Sequence, residues 1–410
     1  MLLDNNSRLN KFLGSVYVNA VVALIAVFRF FQFGLAGMGS NSQNWQAYQL
    51  CSNYSYGFIK RSLLGSLVKI LASVTGMEFK NAVNIFMIAE EVIFSFVFLG
   101  FLFYIINKYK NPNLNLLILF FLSTDILGFY YWDWGEQDII LIALSIVMCL
   151  MIVREKFVWA VPFIVSACVL IHEGFAMMYF GMIVGLLLIK CLRKEKRERL
   201  KYFIILMATG LMCGGFSAYC YFCTKYVINV SPEQMVSDAV SKLGESVNTV
   251  VLVENFWNVG PRIIENGVPT TGFWLRMFAI ALACVILSPF IVYKVRFWRE
   301  LIKGEQSKLM KLAYLFCSLV CLLALPLILL QADETRWVYG IIIQEVMLIV
   351  FLYMLDEEKI KNILGKVLKT NVLNIILIGF YLIVFNNPNK EFIDIFLVII
   401  PYVMDWGPLL

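Results

Sequence analysis

Charge is what this sequence has least of. Asp, Glu, Lys and Arg make up 15% of its 410 residues, where soluble domains carry about a quarter. Histidine occurs once, at His172. No Gly-rich phosphate loop, nucleophile elbow or dinucleotide fingerprint is present. Polar stretches are too short for a separate soluble domain, so a cytoplasmic nucleotide-sugar domain has no place to fold. The ten cysteines are scattered, mostly in apolar runs, and imply no disulfide framework. Cys220 and Cys223 form a CxxC with no second pair at zinc spacing, which favours a packed helix face over a metal or redox site. The net charge of +6 is not gathered into a basic stripe, so nucleic acid is not an expected partner.

What is there is apolar length. The chain is 61% hydrophobic with mean hydropathy +0.79, and runs of about 17 residues or more recur along it, as bilayer-spanning helices require. Spans are expected near residues 13–34, 83–106, 114–131, 138–153, 157–172, 174–190, 202–222, 273–293, 312–331, 337–355 and 371–386. The segment 391–404 is apolar but short and contains Asp394 and Pro401; it is either a twelfth span or an interfacial piece. The first run is too long for a cleaved signal. The expected fold is one all-α transmembrane bundle over residues 1–410, with about eleven spans (ten to twelve).

The connections set the orientation. With the N-terminus cytoplasmic, the inner segments 1–12, 107–113, 154–156, 190–201, 294–311 and 356–370 hold 23 of the 34 Lys and Arg residues, and the outer segments hold nine. That is the positive-inside bias. It places the stretch from Phe129 to Asp138, the His172–Glu173 junction, the stretch from Gln331 to Trp337, and the long segments 35–82 and 223–272 outside. In 35–82, positions 59, 63, 67, 70, 71 and 74 share an apolar helical face, Lys60 and Arg61 mark a polar side, and Gly76 is a stop. An amphipathic helix in the outer interface fits this pattern. In 223–272, Ser231-Pro232-Glu233 has the form of a helix start within an external cap.

Several of these outer residues carry chemistry. Asp133, Glu136 and Asp138 stand among Tyr130, Tyr131, Trp132 and Trp134. Such a loop is either solvated with an aromatic belt or the floor of a polar site, because unpaired acids need water or cations. His172 begins His172-Glu173-Gly174-Phe175-Ala176, which fails the HExxH zinc pattern at its fifth position. It is either a hydrogen-bonded helix-end residue or a group that orients a partner or moves a proton. Asp333, Arg336 and Trp337 repeat the pairing of acid with aromatic and add a guanidinium suited to phosphate. Deeper in the apolar runs, Arg29 is expected to pair with Glu90 or Glu91, and Glu345 to join a polar path. A structural role without chemistry fits some of these residues as well.

In this architecture, and in Lys60-Arg61, Trp132-Asp133-Trp134, His172-Glu173 and Asp333 to Trp337, the chain resembles the polytopic enzymes of bacterial envelope polysaccharide assembly. These are the O-antigen and capsule polymerases and the multi-span glycosyltransferases that use polyprenyl-phosphate sugars. Its 35–82 segment has Glu78 and no Asp, which departs from those glycosyltransferases and favours the polymerases. The resemblance implies a multi-pass plasma-membrane protein that transfers or polymerises glycans between polyprenyl-phosphate-linked intermediates at the outer face. Asp133, Glu136, His172 and Glu173 would be catalytic. Lys60, Arg61, Trp132, Trp134, Asp138, Asp333, Arg336 and Trp337 would bind substrate. The partners are the bilayer and a polyprenyl-phosphate-linked sugar. No cofactor is required, and a divalent cation is left open. The competing readings are a secondary transporter or lipid-linked glycan flippase using the buried acids, and a membrane acyltransferase using His172.

Overall fold

A computed structural model describes residues 2–34, 45–124, 126–132, 134–246, 284–325 and 334–384, with positions 249, 252, 264, 265, 268, 269 and 281 between them. It is almost wholly helical. Among the described residues the β-structure is one two-residue antiparallel pairing, Ile264–Glu265 with Val268–Pro269. Five helical segments have the length and composition to cross a membrane: Tyr17–Gly34, Phe79–Tyr109, Gln137–Arg154, Lys196–Phe222 and Arg336–Leu355. A sixth is counted if Glu357–Val367 and Val372–Ile383, bent by 85° at their junction, form one span. These are the helices of a membrane protein.

Eleven spans were expected, and the described helices of sufficient length number five or six. The runs expected at 114–131, 157–172, 174–190, 312–331 and 371–386 fall on the shorter helices Pro112–Leu122, Val161–Ile171, Phe180–Arg193, Lys308–Val320 and Val372–Val384. An 11-residue helix rises about 16 Å, roughly half of a bilayer's hydrocarbon core. Local breaks account for the shortening. The run expected at 114–131, for example, is interrupted where Ser123 and Thr124 leave the helix. Most of the run expected at 273–293 and all of 391–404 lie outside the described residues.

The chain packs as two units. The first is Met1–Leu24, Ile106–Phe129 and Pro261–Leu410. Here Glu334–Leu355 packs against Pro112–Leu122 and Glu357–Val367, and Ser288–Lys303 packs against Lys308–Val320 and Glu357–Val367. Asn111 caps Pro112–Leu122 by accepting from the Leu114 N–H at 2.9 Å, and Pro112 takes the first helical position, where its missing N–H costs nothing. Phe120 stacks on Phe290 and meets Tyr293 and Tyr381.

The second unit is Ile25–Ile105 and Tyr130–Gly260. Val161–Ile171 packs against Lys196–Phe222, Gln137–Arg154 and Leu63–Thr75, and Phe180–Arg193 covers the first two of these. At one end Glu155, with φ +59°, closes Gln137–Arg154. It receives Lys190 at 2.6 Å and Lys194 at 2.7 Å, two of the cations in the basic 190–201 stretch. The expected helix start at Ser231 is present: Pro232–Leu243 is capped by the Ser231 hydroxyl, which accepts from the Gln234 N–H.

Candidate functional site

The site grows from a turn that a helix cannot enter. Arg61 has φ +57°, left-handed backbone that a non-glycine residue adopts only under constraint. The helix therefore starts at Leu63 and ends at Gly76, with φ +69°. The stop falls where expected. Lys60 and Arg61 do not lie on the polar face of this helix, as the spacing suggested, but in the turn ahead of it. Close packing holds that turn in place. A Cβ on Gly65 would sit 1.8 Å from the Ser52 carbonyl, so only glycine lets the helix approach the 50–53 backbone. The Ser52 and Ser62 hydroxyls bond at 2.9 Å, Tyr54 N–H donates to Ser66 Oγ at 2.9 Å, and Lys60 N–H donates to Thr224 Oγ1. Tyr219 Oη donates to the Phe58 carbonyl at 2.7 Å, and Phe58 lies between the rings of Tyr54 and Tyr219.

The opposing wall is the break at His172–Gly174. His172 ends Val161–Ile171, its Nδ1 accepts from the Gly174 N–H at 2.9 Å, and its carbonyl accepts from the Phe175 N–H. Acceptance at Nδ1 leaves Nε2 as the nitrogen that carries the ring proton. Because Val161–Ile171 packs on Leu63–Thr75, this break meets the Arg61 turn. Arg61 Nε donates to Glu173 Oε2 at 2.9 Å and Nη2 to Oε1 at 2.7 Å, while Lys60 Nζ lies 3.5 Å from Oε1. Burial pushes the Glu173 carboxyl up, but Arg61 first, then His172, Lys60 and the Arg61 hydrogen bonds outweigh it and hold the group well below the ordinary carboxylate range. Among the described residues, two cations meet this one carboxylate. Lys60 and Arg61 side chains are each 18% exposed and Glu173 is 27% exposed, so a ligand can reach them.

Four residues singled out from the sequence, Lys60, Arg61, His172 and Glu173, thus occupy one place. The aromatic-acid stretch is not a solvated loop. Tyr130, Tyr131, Trp134, Glu136 and Asp138 are all buried, because a helix continues through Ile126–Trp132 and Tyr131 and Trp134 pack on Phe30. Glu136 accepts from Gln46 Nε2 at 3.1 Å, and Asp138 lies fully buried in the first turn of Gln137–Arg154. Trp132 closes its helix, and Asp133 and Asp333 lie outside the described residues. Arg336 and Trp337, in the first unit, are buried in the first turns of Glu334–Leu355.

Two expected pairings are corrected. Arg29 does not pair with Glu90 or Glu91: its Nη1 donates to Gln32 at 2.9 Å and its guanidinium lies against Phe28 and Phe33. Glu345 is not part of an open polar path. It is held by Lys294 at 3.0 Å and by the Trp298 indole N–H, both brought by Ser288–Lys303. Sequence reasoning also missed Gln46, Tyr219 and Thr224, whose contacts span 90, 161 and 164 residues. Cys220 and Cys223 are free thiols. In the first unit a cavity of about 390 Å³ is lined by Lys303, Lys359, Lys366 and Glu300 among others. No protein family, curated protein or solved structure matches this chain.

Proposed function

We propose that the protein transfers or polymerises glycans between polyprenyl-phosphate-linked intermediates at the outer face of the plasma membrane. The finer topology belongs to the same proposal: about eleven spans with the N-terminus cytoplasmic, supported by the 23-to-9 split of basic residues. The observation that carries the reading is the convergence of Lys60 and Arg61 on Glu173. A guanidinium already oriented by a carboxylate, beside a second cation and in a partly desolvated place, suits a lipid phosphate. In glycosyl transfer from such a donor, the sugar's bond to the phosphate breaks as the acceptor hydroxyl attacks, and negative charge grows on the departing phosphate. Fixed cations there stabilise the transition state more than the ground state. Asp133 or Glu136 would take the acceptor's proton, and His172 and Glu173 would orient groups or move a proton. Trp132, Trp134 and Asp138 remain proposed substrate contacts.

Transport is the second reading, favoured by one observation: Glu90 and Glu91 are buried inside the longest apolar helix. One experiment separates the two. Cells lacking the protein are analysed for surface polysaccharide chain length and for lipid-linked glycans on each side of the membrane. Single lipid-linked units accumulating outside, with long chains lost, support transfer. Accumulation inside supports a flippase and counts against the transferase.

A further inference from the structure

Ser288–Lys303 and Glu357–Val367 pack against each other in the first unit, and the cavity of about 390 Å³ opens between them. Glu300 and Lys303 line it from one helix, and Lys359, Asn362, Ile363 and Lys366 from the other. Both sets keep the three- and four-residue spacing of a single helical face, so the two helices turn these side chains toward one place. The volume is that of a small-ligand site, which runs from about 300 to 1,000 Å³.

The charges here select a ligand. Lys359 is already fixed: its Nζ lies 2.7 Å from Glu305 Oε2 and over the Tyr314 ring. Glu305 Oε1 accepts from the Gln306 and Ser307 N–H groups. Among the described residues, Lys303, Lys366 and Glu300 have no ion-pair partner. With Glu305 counted, three ammonium groups stand against two carboxylates, which leaves one positive charge. A phosphodiester carries one negative charge and balances it, whereas a phosphate monoester carries about 1.5 to 2. Glu300 repels a second acidic group and is an acceptor for hydroxyls beside the phosphate.

Around the cavity three helices change from apolar to charged. Ser288–Lys303 exposes Ile291, Val292 and Val295 and then carries Arg296, Arg299, Glu300 and Lys303. Lys308–Val320 starts with Lys308 and Lys311 and goes on to expose Leu312, Leu315 and Leu319. Arg336–Leu355, long and apolar enough to cross a membrane, gives way at Asp356 to the charged first turn of Glu357–Val367, and the apolar Val372–Ile383 leaves that helix at 85°. Such a change of character marks the headgroup level of a bilayer. We propose that the cavity binds a hydroxyl-bearing phosphodiester, which at this level an anionic phospholipid headgroup of the phosphatidylglycerol type supplies. Lys303 and Lys366 donate to the phosphate oxygens, Lys359 stands beside them, and Glu300 accepts from a headgroup hydroxyl. This site is separate from the Lys60–Arg61–Glu173 cluster and does not depend on the transferase reading.

The test is native mass spectrometry of the purified full chain, stripped of lipid in a nonionic detergent. Phosphatidylglycerol, phosphatidylethanolamine and phosphatidylcholine with identical acyl chains are titrated separately. Glycerophosphoglycerol, the same headgroup chemistry without acyl chains, is titrated in parallel. Wild-type protein should bind phosphatidylglycerol in preference to the other two lipids. Lys303 and Lys366 are exposed, so Lys303→Gln with Lys366→Gln should fold, and should weaken that binding about tenfold or more. Lys196→Gln with Lys201→Gln removes two exposed cations elsewhere and should leave it unchanged. Binding of the lipid alone assigns the site to the bilayer. Equal binding of glycerophosphoglycerol, lost in the Lys303/Lys366 double variant, keeps the phosphodiester site and assigns it to a soluble ligand. Unchanged binding in that variant, equal loss in both double variants, or no preference among the three lipids together with no binding of glycerophosphoglycerol overturns the proposal.

Discussion

Arg61 and Glu173 are 112 residues apart in sequence and are joined by two parallel N–H···O bonds, 2.9 and 2.7 Å long. The arginine presents its fork from left-handed backbone and the glutamate from a helix break, so both ends are fixed before a ligand arrives.

That geometry sets the first prediction. Arg61→Lys keeps the charge but cannot form the fork, and Arg61→Gly relieves the backbone strain while removing the cation. Both variants should fold. Glycan transfer should fall about tenfold or more in Arg61→Lys and further in Arg61→Gly, in line with the loss of one fixed electrostatic group. Chain length of surface polysaccharide, normalised to membrane-inserted protein, is the measurement. Wild-type chain length in Arg61→Gly removes the residue from the site.

Glu173 makes a prediction in pH. Its folded-state carboxyl is depressed below the ordinary 4.5, so the folded state holds its proton less tightly than the unfolded state. The stabilising contribution is therefore complete above about 4.5 and fades as pH falls through the lower folded value. At neutral pH, Glu173→Gln should cost about 1–3 kcal/mol, toward the lower end because the pair is partly exposed. The gap between wild type and variant, followed by thermal unfolding in nanodiscs, should narrow below pH 4.5. A gap that widens on acidification contradicts the assignment.

In the first unit, Glu345 is fully buried with Lys294 as its counter-ion. Lys294→Met alone strands a buried carboxylate and should cost about 3–5 kcal/mol. The double change Lys294→Met with Glu345→Gln should recover much of that loss, and Trp298 keeps an acceptor for its indole N–H. A double-mutant cycle on unfolding free energy checks this, and additive losses would show that the two groups do not interact.

The helices were legible in the sequence and their lengths were not. Hydropathy located Phe79–Tyr109, Gln137–Arg154 and Lys196–Phe222, and Ser231, Pro232 and Gly76 marked helix ends. The same hydropathy counted Pro112–Leu122 and Val161–Ile171 as spans, because an apolar run does not reveal where the backbone leaves the helix. Lys60, Arg61, His172 and Glu173 stood out individually as rare polar groups among apolar neighbours. Their meeting rests on Gly65 and on packing between Leu63–Thr75 and Val161–Ile171, which no local pattern encodes. Arg29 was assigned to Glu90 or Glu91 on charge alone, and its Nη1 donates instead to Gln32, one helical turn away.

Topology follows from the charge split. Single cysteines placed at position 133 and at the exposed outer positions 78 and 233 should react from outside the cell with an impermeant reagent, once native thiols that react are replaced. Cysteines at 194, 303 and 361 should react only after permeabilisation. Labelling of 133 only from the cytoplasm overturns the orientation.

The central claim is tested most directly by adding purified protein in nanodiscs to the lipid-linked glycans extracted from cells that lack it. Product length is followed by mass spectrometry. Wild-type protein should lengthen the glycans while releasing free polyprenyl phosphate or diphosphate, and Arg61→Gly should not. Unchanged glycans with wild-type protein, or equal lengthening by the variant, would contradict the account.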